Sequence, residues 1–140
     1  MDAREVTGER EFAVRFDHGE EWIAEIESFA TAADVDAGWF SATGAVVDAE
    51  IAVYDQDDFA YETVTYDEPL EVAACTGTIA LDDDGDVGVD AHVVLSRPSG
   101  QTVSGALVRA TVFDAELYCR TFEDALTRER DTASGRELWE

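Results

Sequence analysis

An imidazole and a carboxylate two residues apart on one strand can share a metal ion or a proton. The run GVDAHVVLSRPSGQTVSGALV, Gly88 to Val108, holds such a pair, Asp90 and His92, inside an alternating pattern. Side chains at i and i+2 of a strand leave the same face, so these two point the same way. Imidazole nitrogen and carboxylate oxygen are both ligands for zinc. The same carboxylate could instead raise the basicity of the imidazole and make an acid–base pair.

Each chemistry needs a further group. A catalytic zinc centre takes three protein ligands. If Arg97 to Gln101 form a five-residue hairpin loop, His92 lies opposite Ala106 on the returning strand. A third ligand would project from that position, and Ala106 has no ligand atom. Glu116 could serve only if the last strand lies alongside or a neighbouring subunit supplies it. Nothing marks a nucleophile or a substrate beside the pair, so no catalytic residue is assigned. A metal reading rests on Asp90 and His92, and no zinc or other cofactor is expected. Two other readings use the same face. His92 is hydrogen-bonded to Asp90 or placed at a subunit interface, or Asp90, His92, Ala106 and Glu116 line a small-ligand pocket.

Other chemistry-bearing groups read more plainly. His18 sits in FDHGEE, just before a helix, as an exposed turn residue. Asp55, Asp57 and Asp58, and Asp82, Asp83, Asp84 and Asp86, read as solvated acidic turns. DDDGD lacks the downstream bidentate Glu and flanking helices of a calcium loop. Cys75 and Cys119 lie in apolar strand-like runs without metal-ligand spacing and read as buried thiols. Most aromatics fall in phase with strand or helix faces, as core or interface. Tyr54, Phe59 and Tyr61, beside an acidic loop, are candidates for an exposed contact.

The elements that must position Asp90 and His92 follow from periodicity. EFAVRF alternates and predicts a first strand with Phe12, Val14 and Phe16 on one face. From about Glu20 to about Ala33 the stripe Trp22, Ile26, Phe29, Ala30 and Ala33 predicts an amphipathic helix, with Asp17 as a possible cap. Extended segments follow, with Gly44 breaking the first at a bend or bulge. Val87–Leu95 and Thr102–Ala110 read as a hairpin, and TVFDAELYCRTF as the last strand. The expectation is an α+β domain, a mostly antiparallel sheet of six or seven strands with one main helix packed on it. Residues 1–10 read as an N-terminal extension and 11–123 as the domain. Residues 124–140 read as a charged tail, a frayed helix or disordered.

Composition narrows the partners. The chain has 140 residues, 33 acidic and 9 basic, for a formal charge of −24. Every basic residue is Arg, and no Lys occurs. An acidic, lysine-free surface suits a salty cytoplasm, which screens its self-repulsion. Duplex DNA demands phosphate-neutralising cations, and a broad basic face is not available. An anionic membrane surface is disfavoured for the same reason. No run is long enough to span a bilayer and no signal peptide opens the sequence, so a cytoplasmic location is expected.

Several pieces, in order, resemble one family. FDHGEEWIAEIESFA resembles a strand end, glycine turn and acidic helix start. AGWFSATGAV resembles a glycine–aromatic strand, and YDEPLEVAACTGTIA a Pro-Leu-Glu strand running into Thr-Gly. DAHVVLSRPSGQTVSGALV resembles a His-x-His strand, hairpin and Gly-Gly-His-Leu return, and FDAELY a final strand. Together, from about Phe12 to about Phe122, they resemble the plants and prokaryotes conserved domain. The resemblance implies a compact α+β fold assembling as a homotrimer, with prokaryotic members described as candidate DNA-binding proteins. It implies no established reaction. In the family's fuller pattern three histidines look like a metal site; here those positions hold Asp90, His92 and Ala106. The Arg-Gly-Arg-Pro core of the DNA-reading AT-hook found in plant members is absent.

Overall fold

Alternating apolar residues put most of the chain into strands. The computed structural model describes residues 1–139. Strand β1 (Gly8–Phe16) turns Phe12, Val14 and Phe16 toward the core. It begins at Gly8, so residues 8–10 belong to the sheet rather than to an extension. Helix α1 (Trp22–Ala32) follows, with Trp22, Ile26 and Ala30 buried and Phe29 packed at the margin. Its N-cap is Glu21, not Asp17. The Glu21 carboxylate accepts from Ile23 N at 3.3 Å and Ala24 N at 2.7 Å. Asp17 instead lies in the connecting turn, which is pinned where Gly19 N–H donates to the Val112 carbonyl at 2.8 Å. The helix end is closed by Arg10, whose guanidinium donates to the carbonyls of Ala33 (2.7 Å) and Asp34 (2.9 Å).

The remaining strands are β2 (Gly38–Asp55), β3 (Ala60–Tyr66), β4 (Leu70–Leu81), β5 (Val87–Ser96) and β6 (Thr102–Phe122). All pairings among β1–β6 are antiparallel, in the order β1-β6-β5-β4-β2-β3. A further β2–β6 pairing closes β6, β5, β4 and β2 into a ring. The two segments read as separate strands, Thr102–Ala110 and Thr111–Phe122, are one continuous strand. The core fills the ring, and α1 packs on β5 and β6. β2 bends at Gly44, whose φ is +152°. A Cβ there would stand 2.2 Å from the Asp114 carbonyl oxygen, so only glycine fits.

The expectation of a frayed helix or disordered tail is corrected. The last residues form a hairpin of β7 (Arg128–Arg130) and β8 (Glu137–Trp139). Its hold is tertiary, which local periodicity does not reveal. Leu126 is buried, and Leu81 N–H donates to its carbonyl at 3.1 Å. Tyr54 donates to the Ser134 carbonyl at 2.6 Å, and the Trp139 ring meets Trp39 edge-on at 6.3 Å. Among the described residues no helix is long and apolar enough to cross a membrane.

Candidate functional site

β5 sorts its residues by face. Ala91, Val93 and Leu95 are buried, while Asp90, His92 and Val94 project outward. The loop to β6 is Arg97 to Gln101, closed by Arg97 N–H donating to the Gln101 carbonyl at 2.8 Å. The register that this loop length predicts is observed. His92 stands opposite Ala106 on one side and Thr76 on the other.

Asp90 does not bond to His92. Its carboxylate Oδ2 lies 3.3 Å from Nη1 of Arg128, brought across by the C-terminal hairpin. Arg128 also donates to Thr78 Oγ1, directly across from Asp90, and to the Glu137 carbonyl at 3.1 Å. Only 15% of the Arg128 side chain is exposed. A guanidinium makes a stronger, charge-assisted partner for a carboxylate than a neutral imidazole does. His92 is left exposed, with no hydrogen bond or ion pair among the described residues.

Glu116 is placed elsewhere. It lies on β6 opposite Arg15 of β1 and Thr43 of β2. Around the ring, His92 pairs with Thr76, Thr76 with Ser41 and Ser41 with Tyr118. Three strand spacings are about 14 Å, and Glu116 is two residues further along β6. The structure thus brings Asp90, His92 and Ala106 together and leaves Glu116 outside ligand distance within one chain. Among the described residues no three His, Cys, Asp or Glu side chains stand close enough to hold a metal ion. The donors of this face do not fit a metal centre in one chain, since Asp90 is already held by a cation.

Two concavities adjoin this face. A groove of about 630 Å³ is lined by Arg15, Ser41, Thr43, Thr76, Glu116 and Tyr118 among others, so Glu116 shares it with Thr76 but not with Asp90 or His92. A smaller one, about 350 Å³, lies beside Asp90 and Arg128 and includes Tyr61, Arg136 and Glu137. Arg128 carried no signal in the sequence, because 38 residues separate it from Asp90 and its neighbours alternate in charge.

The cations are scattered and engaged. Arg97 pairs with Glu68, Arg109 with Glu50 at 3.1 Å, and Arg128 with Asp90. Arg10 is spent on the helix end. Arg15 stands across from Glu116 and Arg120 across from Glu11. No continuous basic surface results. The acidic turns fold on themselves, with Asp82 Oδ1 accepting from Asp84 N and Asp86 N and Asp55 Oδ1 from Asp57 N and Asp58 N. His18 is exposed, its Nδ1 3.1 Å from the Phe113 carbonyl. Both thiols are buried and free. Burial pushes Cys75 up to about 12 and Cys119 to about 11.

The family model of the Plants and Prokaryotes Conserved (PCC) domain matches residues 3–123. A metal-containing protein of Archaeoglobus fulgidus superposes with a TM-score of 0.94 at 30% identity, over 100% of this chain and 99% of its own. A plant- and prokaryote-conserved protein of Pyrococcus horikoshii gives 0.92 at 25% identity, over 100% and 97%. A candidate DNA-binding protein of Ralstonia eutropha gives 0.85 at 22% identity, over 91% and 89%, a likeness of fold. Comparison with curated protein sequences gives no match.

Proposed function

Because this chain belongs to the Plants and Prokaryotes Conserved domain family, we propose that it is a non-catalytic, homotrimeric assembly module. It serves DNA-associated regulation through protein contacts rather than by gripping the duplex itself. One observation carries this reading: among the described residues eight of the nine arginines bond to carboxylates or carbonyls or stand across from glutamates, and Arg136 lies over the Tyr54 ring. Duplex binding draws its affinity from cations that neutralise phosphates, and such cations must be free and clustered. The name of the Ralstonia protein supports the DNA association, at the level of fold.

A mobility-shift titration with random duplex, at low and high KCl, tests the reading. No shift is expected at either salt. A shift at low salt that fades with a steep salt dependence would overturn it in favour of direct binding. Sedimentation of the purified protein reads the assembly, and a monomer would remove the trimer from the proposal.

The reading assigns no resident metal, although the Archaeoglobus relative contains one. Asp90 is engaged by Arg128, and His92 faces Ala106 and Thr76. Elemental analysis of protein purified without chelators checks this. Sub-stoichiometric metal is expected. One metal per chain, lost in His92→Ala, would show that subunits complete a site between them.

A further inference from the structure

β3 pairs with β2 along one edge only, in unbroken register from Ala49↔Tyr66 to Asp55↔Ala60. Its other edge meets no strand among the described residues. In an antiparallel strand every second residue turns its N–H and C=O to that outer side. Residues Ala60 to Thr65 are all exposed, on both faces. The strand reads Ala-Tyr-Glu-Thr-Val-Thr-Tyr, rich in β-branched and aromatic residues, with Glu62 its one charge. Natural edges are blunted by lysine, proline or a bulge, and β3 has none of these. Apolar side chains gather here. Val53, Phe59, Tyr61 and Val64 are each between 43% and 54% exposed.

Charge says what could pair with it. Asp57 and Asp58 lie just before the strand and Asp67 just after it, and among the described residues none of these carboxylates is in an ion pair. The edge is therefore a hydrogen-bond-ready strand of β-branched and aromatic residues with unpaired carboxylates at both ends; of the nearby cations, Arg97 beside Tyr66 is held by Glu68 and Arg136 lies over Tyr54. A second copy of the chain would bring like charge to like.

We propose that the outer edge of β3 receives an extended segment of a basic protein partner, added as a further strand. That segment has an alternating β-branched or aromatic core and Lys or Arg at both ends. A seven-residue strand spans about 23 Å, which sets the separation of the two basic ends. Backbone pairing supplies affinity in this mode, while side chains and flanking charges supply selectivity. This inference rests on the protein-contact reading above and gives the partner its chemistry.

The test uses the whole protein and three labelled peptides, followed by fluorescence anisotropy at low salt. The first is Lys-Lys-Thr-Val-Thr-Val-Thr-Val-Lys-Lys. The second replaces its lysines by glutamates. The third keeps the lysines around a Gly-Pro core that cannot pair as a strand. The first should bind about tenfold or more tighter than either control, since it alone has both the core and the charge. It should also slow amide exchange across Ala60–Tyr66. Val64→Lys should abolish this binding. Asp57→Asn, Asp58→Asn and Asp67→Asn together should weaken it about tenfold at low salt, with little effect at high salt. Among the described residues those three carboxylates make no ion pair, so the triple variant reads binding even if Val64→Lys unfolds.

Equal binding of the Gly-Pro peptide would reduce the effect to general charge attraction and overturn the proposal. Equal binding of the glutamate peptide, or no binding at all, would overturn it too. So would β3 amides already protected in the free protein together with a loss of mass in Val64→Lys, which would assign the edge to a second copy. A duplex shift would overturn the function proposed above without touching these arms. Failure of the peptides without a duplex shift would remove this inference alone.

Discussion

Arg128 decides what the histidine strand can do. Its guanidinium joins Asp90, Thr78 and the Glu137 carbonyl, and so ties the C-terminal hairpin to the outer face of the sheet. Replacing it by Met should cost about 1.5–3 kcal/mol, the range for hydrogen bonds to charged groups, read from the urea midpoint. Gly77 lies on the strand beside Asp90. A Cβ there would stand 2.2 Å from the Phe40 ring and 2.6 Å from the Asp90 carbonyl oxygen. Gly77→Ala should therefore destabilise by about 2 kcal/mol or more, because both obstacles are fixed in the core and the backbone. The thiols of Cys75 and Cys119 stay protonated at neutral pH, since burial raises both. They should resist a disulfide reagent in the native protein and react in denaturant. Fast reaction without denaturant would contradict their placement in the core.

At the scale of elements, Glu21 serves two neighbours. It caps α1 and accepts from Ala110 N of β6 at 3.1 Å. Glu21→Ala should cost about 1–2 kcal/mol, at the upper end for a lost cap because a sheet contact goes with it. The hairpin turn has a pH signature. Bonds from the Ser134 side chain and backbone hold the Asp131 carboxyl below its usual value. A carboxyl lowered in the folded state contributes fully above its ordinary value, near 4, and loses that contribution as pH falls through the folded value. Tryptophan fluorescence should thus report loosening of Trp139 from Trp39 as the pH falls below about 4, with Asp131→Asn already loosened at pH 7. The helix stripe, the break at Gly44 and the His92–Ala106 register were legible because each depends on local spacing. The cap was missed because Asp17, Glu20 and Glu21 all suit a helix start, and contact with β6 chooses among them. The hairpin was missed because Leu126 and Arg128 find their partners at the far end of the fold. Ring closure by β2 and β6 leaves no local mark at all.

For the whole molecule, charge is the controlling quantity. With 33 acidic residues and nine arginines, self-repulsion opposes the folded state. The screening length falls from about 10 Å at 0.1 M salt to about 3 Å at 1 M. The melting temperature should rise across that range of KCl, and calorimetry would show it; a flat or falling response would remove repulsion as the dominant electrostatic effect. Topology adds a consequence of a different kind. β6 is 21 residues long and pairs with β1, β2 and β5, and its second half meets a strand about 100 residues earlier in the chain. On the ribosome, β1 and the face of α1 that rests on β6 have no partner until the last third of the sequence emerges. A chain arrested before Thr102 can form the β2–β3, β2–β4 and β4–β5 pairings but has no closed ring. Folding of this unit is therefore held back until β6 has emerged, and a stop before it yields exposed strands rather than a smaller domain.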